Sequence, residues 1–338
     1  MTAKRRLRLG ISFHVPSVRT RVRIAHGMIM IGLSLLTGAC AHTPRLELDT
    51  VVAGASEVRW LAGDSTIAVA LLGRGVAIVD AATGEERAAW RQAGLPAHPA
   101  RGLATSALGE TLAVATEDSV RVIRARDGAL LFSAQGGGLV LALSGDGRAL
   151  AWGDGTYGRV LDVPSGRVRS EHASTADRNG LLWSTATASF AWTDAHTVRF
   201  EDADGRLVGE LAPFDDAAPS QLALSVHGVI MAVAESTTYV SFWDVRGAHE
   251  QRRLRLEGGA RFERMAFSAD TRYLGLARDG RARILAALTG HTLADWQPNS
   301  GGAVRDMAFS RSGDRLATVG PDGHVRLWEV PPTRRSRP

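Results

Sequence analysis

The sequence predicts an all-β fold, a seven-bladed β-propeller of four-stranded antiparallel blades, and three features carry this prediction. A sequence pattern of apolar strands and polar turns recurs in seven units spaced about 40–45 residues apart, which is the length of one propeller blade. The 37 glycines are numerous enough to serve many turns. The 338 residues also exceed the roughly 250–300 at which a single core stops growing, so repeats or several domains are expected.

The last unit, Ala303–Val330, shows the organisation of one repeat. Its strands alternate or are wholly apolar, and its turns carry Gly or Asp, which tolerate a positive φ. Its parts are an apolar strand ending at Phe309-Ser310, a turn over 311–314, a strand over Arg315–Val319, the Asp322-Gly323 turn and a strand over His324–Val330. The six earlier units are Ser56–Gly84, Arg101–Gly128, Gly138–Gly166, Asn179–Gly205, Ser220–Gly247 and Arg261–Gly290.

The end of the third strand fixes the register of the units, because an acidic residue usually follows it. The residue just before that position is Val79, Ile123, Leu161, Phe200, Trp243, Leu285 or Trp328, with spacings of 44, 38, 39, 43, 42 and 43. Gly84 to Trp90 and Gly290 to Trp296 are equal steps, which places a Trp in the same outer strand. Asp-Gly pairs are interpreted as turns, and they stand at 127–128, 146–147, 154–155, 204–205, 279–280 and 322–323.

The two ends of the repeat region predict how the ring closes. Two prolines follow the third strand of the last unit and cannot join a ladder, so that blade lacks an outer strand of its own. In Pro44–Gly54, Leu46 and Leu48 alternate with acidic residues, which is typical of a strand. We therefore expect this segment to complete the last blade beside His324–Val330 and to remove an open seam.

The repeats also carry a family resemblance. Trp243-Asp244 and Trp328-Glu329 have the form of the dipeptide that names the WD repeat, and over roughly residues 44–330 the chain resembles a WD-repeat propeller. The same position holds Asp80, Asp162 and Glu201 in three other units, and Arg124 and Ala286 in the remaining two. Gly301-Gly302 stands where the family has Gly-His. The blades are therefore expected to depend on apolar packing more than on the family's buried His–Asp network.

The N-terminal segment has the organisation of an export signal. Basic residues precede an apolar run from Met28 to Leu36, and three small residues then lead to Cys40, the single cysteine. The run is too short to span a bilayer. It resembles a bacterial lipobox, which implies a diacylglycerol thioether on Cys40, although Thr37 stands where an aliphatic residue is usual. The alternative is an ordinary signal peptide that is cut near Ala39 or Ala41.

The excess of positive charge is confined to the leader, which bears on the choice of partners. Residues 1–39 hold seven basic side chains and no acidic one, so the remainder has 33 basic and 35 acidic side chains. The high pI therefore gives no indication of nucleic-acid binding. The predicted domains are a signal peptide (1–39), a lipidated Cys with a short tether (40–45), the propeller (46–330) and a disordered basic tail (331–338). A six-residue tether reaches at most about 20 Å, which would keep the propeller close to a membrane.

Motifs of catalysis or metal binding are absent from the sequence. No C-x-x-C, H-E-x-x-H, G-x-S-x-G or P-loop pattern occurs, so we expect no catalytic residue, metal or cofactor. The segment Asp202–Gly205 resembles the start of a calcium loop but lacks its remaining ligands and falls at a turn. The tryptophans within predicted strands are interpreted as core, and they are Trp60, Trp152, Trp183 and Trp192.

One surface feature is a candidate binding rim. The innermost strands of a propeller line its central channel, and their starting ends open on one face. Charged residues near those ends are Arg59, Arg101, Glu263 and Arg305. These four could form a rim for a ligand or partner, and the alternative is a solvated face.

The function that we expect is that of a non-catalytic scaffold for other envelope proteins, lipid-anchored in the bacterial envelope. Ala41 follows the lipidated position, and the absence of Asp there favours the outer membrane, facing the periplasm. Two alternatives stay open. One is a ligand-binding or enzymatic propeller of the lactonase or quinoprotein kind, and the other is a subunit of an outer-membrane assembly complex.

Overall fold

A computed structural model describes the repeat region. The chain divides into two units, Met1–Cys40 and Ala41–Pro338, and all described residues lie in the second. The described residues are 43–87, 98–138, 140–153, 157–173, 181–184, 188–193, 197–211, 219–225, 227–235, 237–256 and 259–332. The predicted signal peptide, Cys40 and most of the predicted basic tail lie outside them.

Within the described residues, 27 strands form seven antiparallel sheets, which confirms the seven-bladed propeller. Blade 1 contains β2 (Ala55–Trp60), β3 (Thr66–Leu71) and β4 (Val76–Asp80); blade 2 contains β5 (Gly102–Thr105), β6 (Thr111–Ala115), β7 (Ser119–Arg124) and β8 (Leu130–Gln135); blade 3 contains β9 (Val140–Leu143), β10 (Ala149–Gly153), β11 (Tyr157–Asp162) and β12 (Val168–Ala173); blade 4 contains β13 (Leu181–Ser184), β14 (Ser189–Thr193), β15 (Val198–Asp202) and β16 (Leu207–Leu211). Blade 5 contains β17 (Gln221–Leu224), β18 (Ile230–Ala234), β19 (Tyr239–Asp244) and β20 (His249–Arg255); blade 6 contains β21 (Phe262–Phe267), β22 (Tyr273–Arg278), β23 (Arg281–Ala286) and β24 (Thr292–Trp296); blade 7 contains β25 (Asp306–Phe309), β26 (Arg315–Val319), β27 (His324–Glu329) and β1 (Leu46–Val51).

Blade 1 has three strands among the described residues, and Glu86 adds an isolated bridge to Val79 of β4. Residues 88–97, which include Trp90, lie outside the described residues. A single 3-10 turn at Ala62–Asp64 is the one helical element of the described chain. We call the end of the wheel where the chain begins each innermost strand the upper end, and the opposite end the lower end. Turns between first and second strands, and between third and fourth strands, therefore lie at the lower end.

Seven apolar clusters lie between neighbouring sheets, one at each blade interface, and they show that the ring is closed. The cluster between blades 7 and 1 includes Val319, Val325 and Leu327 from one blade and Val58 and Ile67 from the other, all buried. The remaining six clusters follow in order around the wheel. Since full burial of such a side chain contributes about 1.5–3 kcal/mol, these interfaces are the main source of stability. The four tryptophans predicted in strands lie in β2, β10, β13 and β14.

The N-terminal strand closes blade 7 as predicted. β1 pairs antiparallel with β27, and Leu46 lies opposite Trp328 while Val51 lies opposite His324. Asp49 of β1 contacts the His324 ring (2.6 Å) and the Arg326 guanidinium (3.2 Å). The strand is therefore attached by a backbone ladder and by a charged cluster at once.

Turn chemistry repeats from blade to blade. A Ser ends the innermost strand in six blades, and in blade 6 its Ser268 hydroxyl accepts the Tyr273 N–H (3.0 Å) and donates to Asp270 (2.6 Å). Asp279 and Gly280 both have positive φ (52° and 69°), as a two-residue type I′ hairpin requires. Five of the six Asp-Gly pairs lie between strands as predicted, and the pair at 154–155 lies outside the described residues.

One register assignment was wrong. In blade 4, Asp202 and not Glu201 holds the acidic position, because Asp202 pairs with Ser189 as Asp162 pairs with Ala149 in blade 3. The cause is a shorter turn. Gly205 donates its N–H to the carbonyl three residues earlier, whereas the corresponding glycine in blade 3 donates to the carbonyl four residues earlier. Counting back from the glycine therefore misplaces the strand end by one residue.

Candidate binding site in the central channel

The innermost strands of all seven blades surround a central cavity of about 410 Å³. Each innermost strand lies beside those of the two neighbouring blades, so the ring of strands encloses the cavity. The cavity reaches from the register position of Asp306 to the lower-end turns near Leu108 and Arg311. Its wall is chemically asymmetric, which is the feature that makes it a candidate site.

Four charged side chains from three neighbouring blades line one side of the channel. Asp306 on β25 accepts the Arg59 guanidinium (2.6 Å) and the buried Val58 N–H (2.9 Å) through one oxygen. Its other oxygen lies 3.7 Å from Arg264 on β21. Asp306 is 8% exposed, so these contacts replace the water that its carboxylate would otherwise bind. One carboxylate thus links blades 6, 7 and 1 at the channel wall.

Glu57 completes this charged cluster from β2. Its Oε2 accepts the Leu103 N–H of blade 2 (2.9 Å) and lies 3.7 Å from Arg59. Burial raises the pKa of Glu57, and Asp306 acts in the same direction, although Arg59 opposes both. The carboxyl therefore keeps its proton at higher pH than an exposed glutamate does. We call Glu57, Arg59, Arg264 and Asp306 the channel cluster.

The facing side of the channel is apolar. Leu141 and Leu182 belong to blades 3 and 4 there, and Trp183 packs edge-on against Phe190 with 4.7 Å between ring centroids. At the register position that holds Arg59 in blade 1, the other blades have Ala or Leu. A molecule in the channel would therefore meet guanidinium and carboxylate groups on one side and hydrocarbon on the other.

The four predicted rim residues have separate partners. Arg101 directly precedes β5 at the upper end and pairs with the exposed Glu117 (3.1 Å). Glu263 accepts the N–H of Gly280 (3.1 Å) and that of Val304 (2.7 Å), so it fastens blade 6 to blade 7.

Arg305 and Arg59 differ from one another in position. Arg305 donates to the Ala55 carbonyl (3.0 Å) and fastens blade 7 to blade 1 at the upper end. Arg59 lies within the channel wall instead of at the upper end, because it is the fifth residue of β2. Whether these residues bind a partner stays a prediction.

Sequence reasoning missed three members of the channel cluster. Glu57, Arg264 and Asp306 occupy the same register position on β2, β21 and β25, four residues before the position that holds Ser in most blades. Alignment of the innermost strands on that Ser would have shown the coincidence. It would not have shown that the side chains contact one another, because they belong to three different blades.

Residues considered for calcium binding serve the turn of blade 4. Asp202 accepts the N–H groups of Asp204 and Arg206, both at 2.9 Å, and Asp204 pairs with Arg169 (3.0 Å). Within the described ranges no group of three or more potential metal-ligating side chains is found. In the same residues no helix has the length and apolar character needed to cross a membrane.

Comparison with known proteins agrees with the fold. The model of the WD domain, G-beta repeat, matches residues 282–329, which run from the third strand of blade 6 to the third strand of blade 7. Among solved structures, the chain is similar to the crystal structure of the Cps50 (Swd1) β-propeller domain of Myceliophteria thermophila. The TM-score is 0.71 and the identity 12%, over 85% of this chain and 100% of that one. No curated protein sequence matches the chain.

Proposed function

We propose that the chain is a non-catalytic, protein-binding scaffold, anchored by a lipid on Cys40 in the bacterial envelope, at the periplasmic side of the outer membrane. Propellers of this fold offer loops on a rigid frame as a broad contact surface. The seven continuous blade interfaces and the closing strand supply that rigidity. The partners would be other envelope proteins, bound at the upper end.

The channel cluster carries the non-catalytic part of the proposal. The Asp306 carboxylate is occupied by a guanidinium and a backbone N–H, and Glu57 by a backbone N–H. General acid–base catalysis needs a titratable group within reach of a substrate proton. Groups that are already engaged with the protein favour a binding or structural role.

The anchor is tested by changing Cys40. Cys40→Ser removes the thiol that would carry the lipid, so we expect the exported protein to move from the membrane fraction to the soluble fraction. Ala41→Ser is the matched control, and it should leave the protein in the membrane. Mass spectrometry of the N-terminal peptide would show the acyl chains directly. An unacylated N-terminus would refute the anchor.

The scaffold is tested by crosslinking in the native membrane. Lys4 is the only lysine and would be removed with the leader, so carboxylate-reactive or photoactivated reagents are required. Reproducible envelope proteins in the crosslinked material would support the scaffold. A membrane-bound protein that captures none would count against it.

Charge reversal locates the contact surface. Arg101→Glu changes the upper end, where the side chain is 40% exposed. Arg126→Glu changes the lower end, where the side chain is 77% exposed, and it serves as the control. We expect Arg101→Glu to lower the yield of crosslinked partner severalfold and Arg126→Glu to leave it unchanged.

The asymmetric channel favours one alternative, a small-ligand-binding propeller. A cavity of about 410 Å³ falls within the roughly 300–1,000 Å³ of small-molecule sites. Native mass spectrometry and metal analysis of the purified protein would decide. A stoichiometric small molecule or metal that Asp306→Asn displaces would favour this alternative over the scaffold.

A further inference from the structure

Exposed apolar side chains collect at the lower end of the wheel. Most large exposed aliphatic side chains of the described residues occupy the first two positions of outer strands. We call these six the apolar rim: Leu46, Leu130, Leu131, Val168, Leu207 and Val208. Leu288 and Leu108 lie in lower-end turns as well, and Leu288 is 89% exposed. Among the described residues only Val51, Leu72 and Tyr239 are large, apolar, exposed and at the upper end.

Hydrogen-bond register places the rim at one end of the molecule. Third strands run toward the lower end, and the rim residues pair with their last positions. Leu130 lies opposite Ile123 and Val168 lies opposite Leu161. Leu46, although it comes from the other end of the chain, lies opposite Trp328 in the same way. Blades 2, 3, 4 and 7 therefore contribute equivalent apolar side chains to a single edge.

A structured turn holds the most exposed member in place. Leu288 lies between β23 and β24, and the Arg252 guanidinium donates to the Ala287 and Leu288 carbonyls. Arg252 also lies over the Phe242 ring, 4.4 Å from its centroid. An exposed leucine on a turn that is fixed in this way has no intramolecular surface to cover it. Clustered exposed apolar groups mark a binding surface for protein or membrane.

The anchor would join the molecule at the same end. The Arg45 carbonyl accepts the Glu329 N–H (2.9 Å), and Pro44 is buried, so the chain is already fixed to blade 7 before β1 begins. Three peptide units separate Thr43 from Cys40, and they span at most about 11 Å. A lipid on Cys40 would thus bring the lower end, and not the upper end, to within that distance of the bilayer.

We propose that the lower end of the propeller rests on the lipid bilayer, with the apolar rim in the boundary between headgroups and acyl chains. This inference rests on the lipid anchor of the proposed function. It specifies a zwitterionic surface, because acidic residues end the third strands at this end in five blades: Asp80, Asp162, Asp202, Asp244 and Glu329. These carboxylates would be repelled by anionic lipids. The upper end then faces the periplasm.

A fluorophore at single positions tests this orientation. Leu207→Cys places a reporter on the rim, and Leu72→Cys places one at the upper end, where the native side chain has nearly the same exposure (55% and 54%). Both lipidated proteins are labelled with an environment-sensitive dye and reconstituted in phosphatidylcholine vesicles that contain a lipid-borne quencher. We expect severalfold stronger quenching at position 207 than at position 72. Addition of phosphatidylglycerol should weaken the quenching at position 207.

Failure of the orientation and failure of the anchor give different results. The parent chain, in which Cys40 is the only cysteine, takes up no dye if its thiol carries a lipid. Dye uptake by the parent would refute the anchor. Equal quenching at the two positions, or stronger quenching at position 72, in a lipidated protein would overturn the orientation alone. Fluorescence at position 207 that changes with protein density at a fixed quencher fraction would indicate contact between copies, and would also overturn it.

Discussion

Single carboxylates on the innermost strands add polar contacts between neighbouring blades. Asp306 serves three blades, and Glu57 and Glu263 each accept a backbone N–H from the next blade. An interblade contact of this kind stabilises the ring without extending any sheet. Removal of one partner is costly because it leaves a buried donor without an acceptor.

Asp306→Ala should destabilise the propeller. The change removes the acceptor of the buried Val58 N–H and leaves two guanidiniums without their shared carboxylate, a loss of about 2–4 kcal/mol. Equilibrium unfolding in urea measures it. Glu117→Ala removes a carboxylate that is 78% exposed and should shift stability by less than about 0.5 kcal/mol. Equal effects of the two changes would contradict the role given to Asp306.

Glu57→Gln should alter how stability depends on pH. Since burial raises the pKa of Glu57 in the folded state, the group contributes stability that is present below its unfolded pKa, near 4.3. That contribution is lost as the pH rises through the folded value. Gln keeps an acceptor for the Leu103 N–H but does not titrate. Unfolding measured from pH 4 to 8 should show a smaller decline for the variant, and parallel curves would count against the raised pKa.

At the scale of the element, the closing strand joins the N-terminal end of the repeat region to the last blade. β1 contributes one of the four strands of blade 7 and attaches through backbone pairing and Asp49. Arg326 is 10% exposed and also binds Asp322 (2.9 Å), so Asp49 belongs to a partly buried network. Loss of Asp49 would weaken the attachment without removing the ladder.

Asp49→Ala should lower stability by about 1–2 kcal/mol, and Glu47→Ala, on the same strand, by less than about 0.5 kcal/mol. Hydrogen exchange should show faster opening of β1 and β27 in Asp49→Ala, with the other blades unchanged. Uniformly faster exchange over all blades would instead indicate that the ring opens only as a whole.

The sequence predicted an element correctly where the pattern lies in neighbouring residues. The predictions failed where they depend on the length of a turn or on contacts between blades. The period of the repeats, the Asp-Gly turns and the alternation of Leu46 and Leu48 identified strands and ring closure, because each depends on neighbouring residues. The register of blade 4 was wrong by one residue, since turn length is not encoded in the spacing to Gly205. The channel cluster could not be foreseen, because its contacts join residues as distant as Arg59 and Asp306.

At the scale of the whole molecule, turn carboxylates predict sensitivity to acid. The Arg87 guanidinium and two backbone N–H groups lower the pKa of Asp80 to about 2, and similar partners lower the pKa of Asp127 and Asp162. A lowered folded pKa contributes stability that is present above the unfolded pKa, near 3.9, and lost as the pH falls through the folded value. Unfolding measured between pH 5 and 2 should show a progressive loss. A free energy of unfolding that does not change between pH 5 and 2 would contradict the stabilising role given to these aspartates.

The two ends of the propeller differ in chemistry, and we expect them to have different surroundings. The upper end carries charged side chains such as Arg101 and Arg305, and the lower end carries the apolar rim. A protein held at its lower edge by a short tether would present its upper end to partners in the periplasm. Binding and anchoring would then use opposite faces of one rigid body.

Site-specific photocrosslinking in living cells distinguishes the surroundings of the two ends. A photoreactive amino acid is introduced at position 72 of the upper end or at position 207 of the apolar rim, and the adducts are identified by mass spectrometry. We expect adducts with envelope proteins from position 72 and adducts with lipids from position 207. Protein adducts from position 207, with none from position 72, would contradict this expectation.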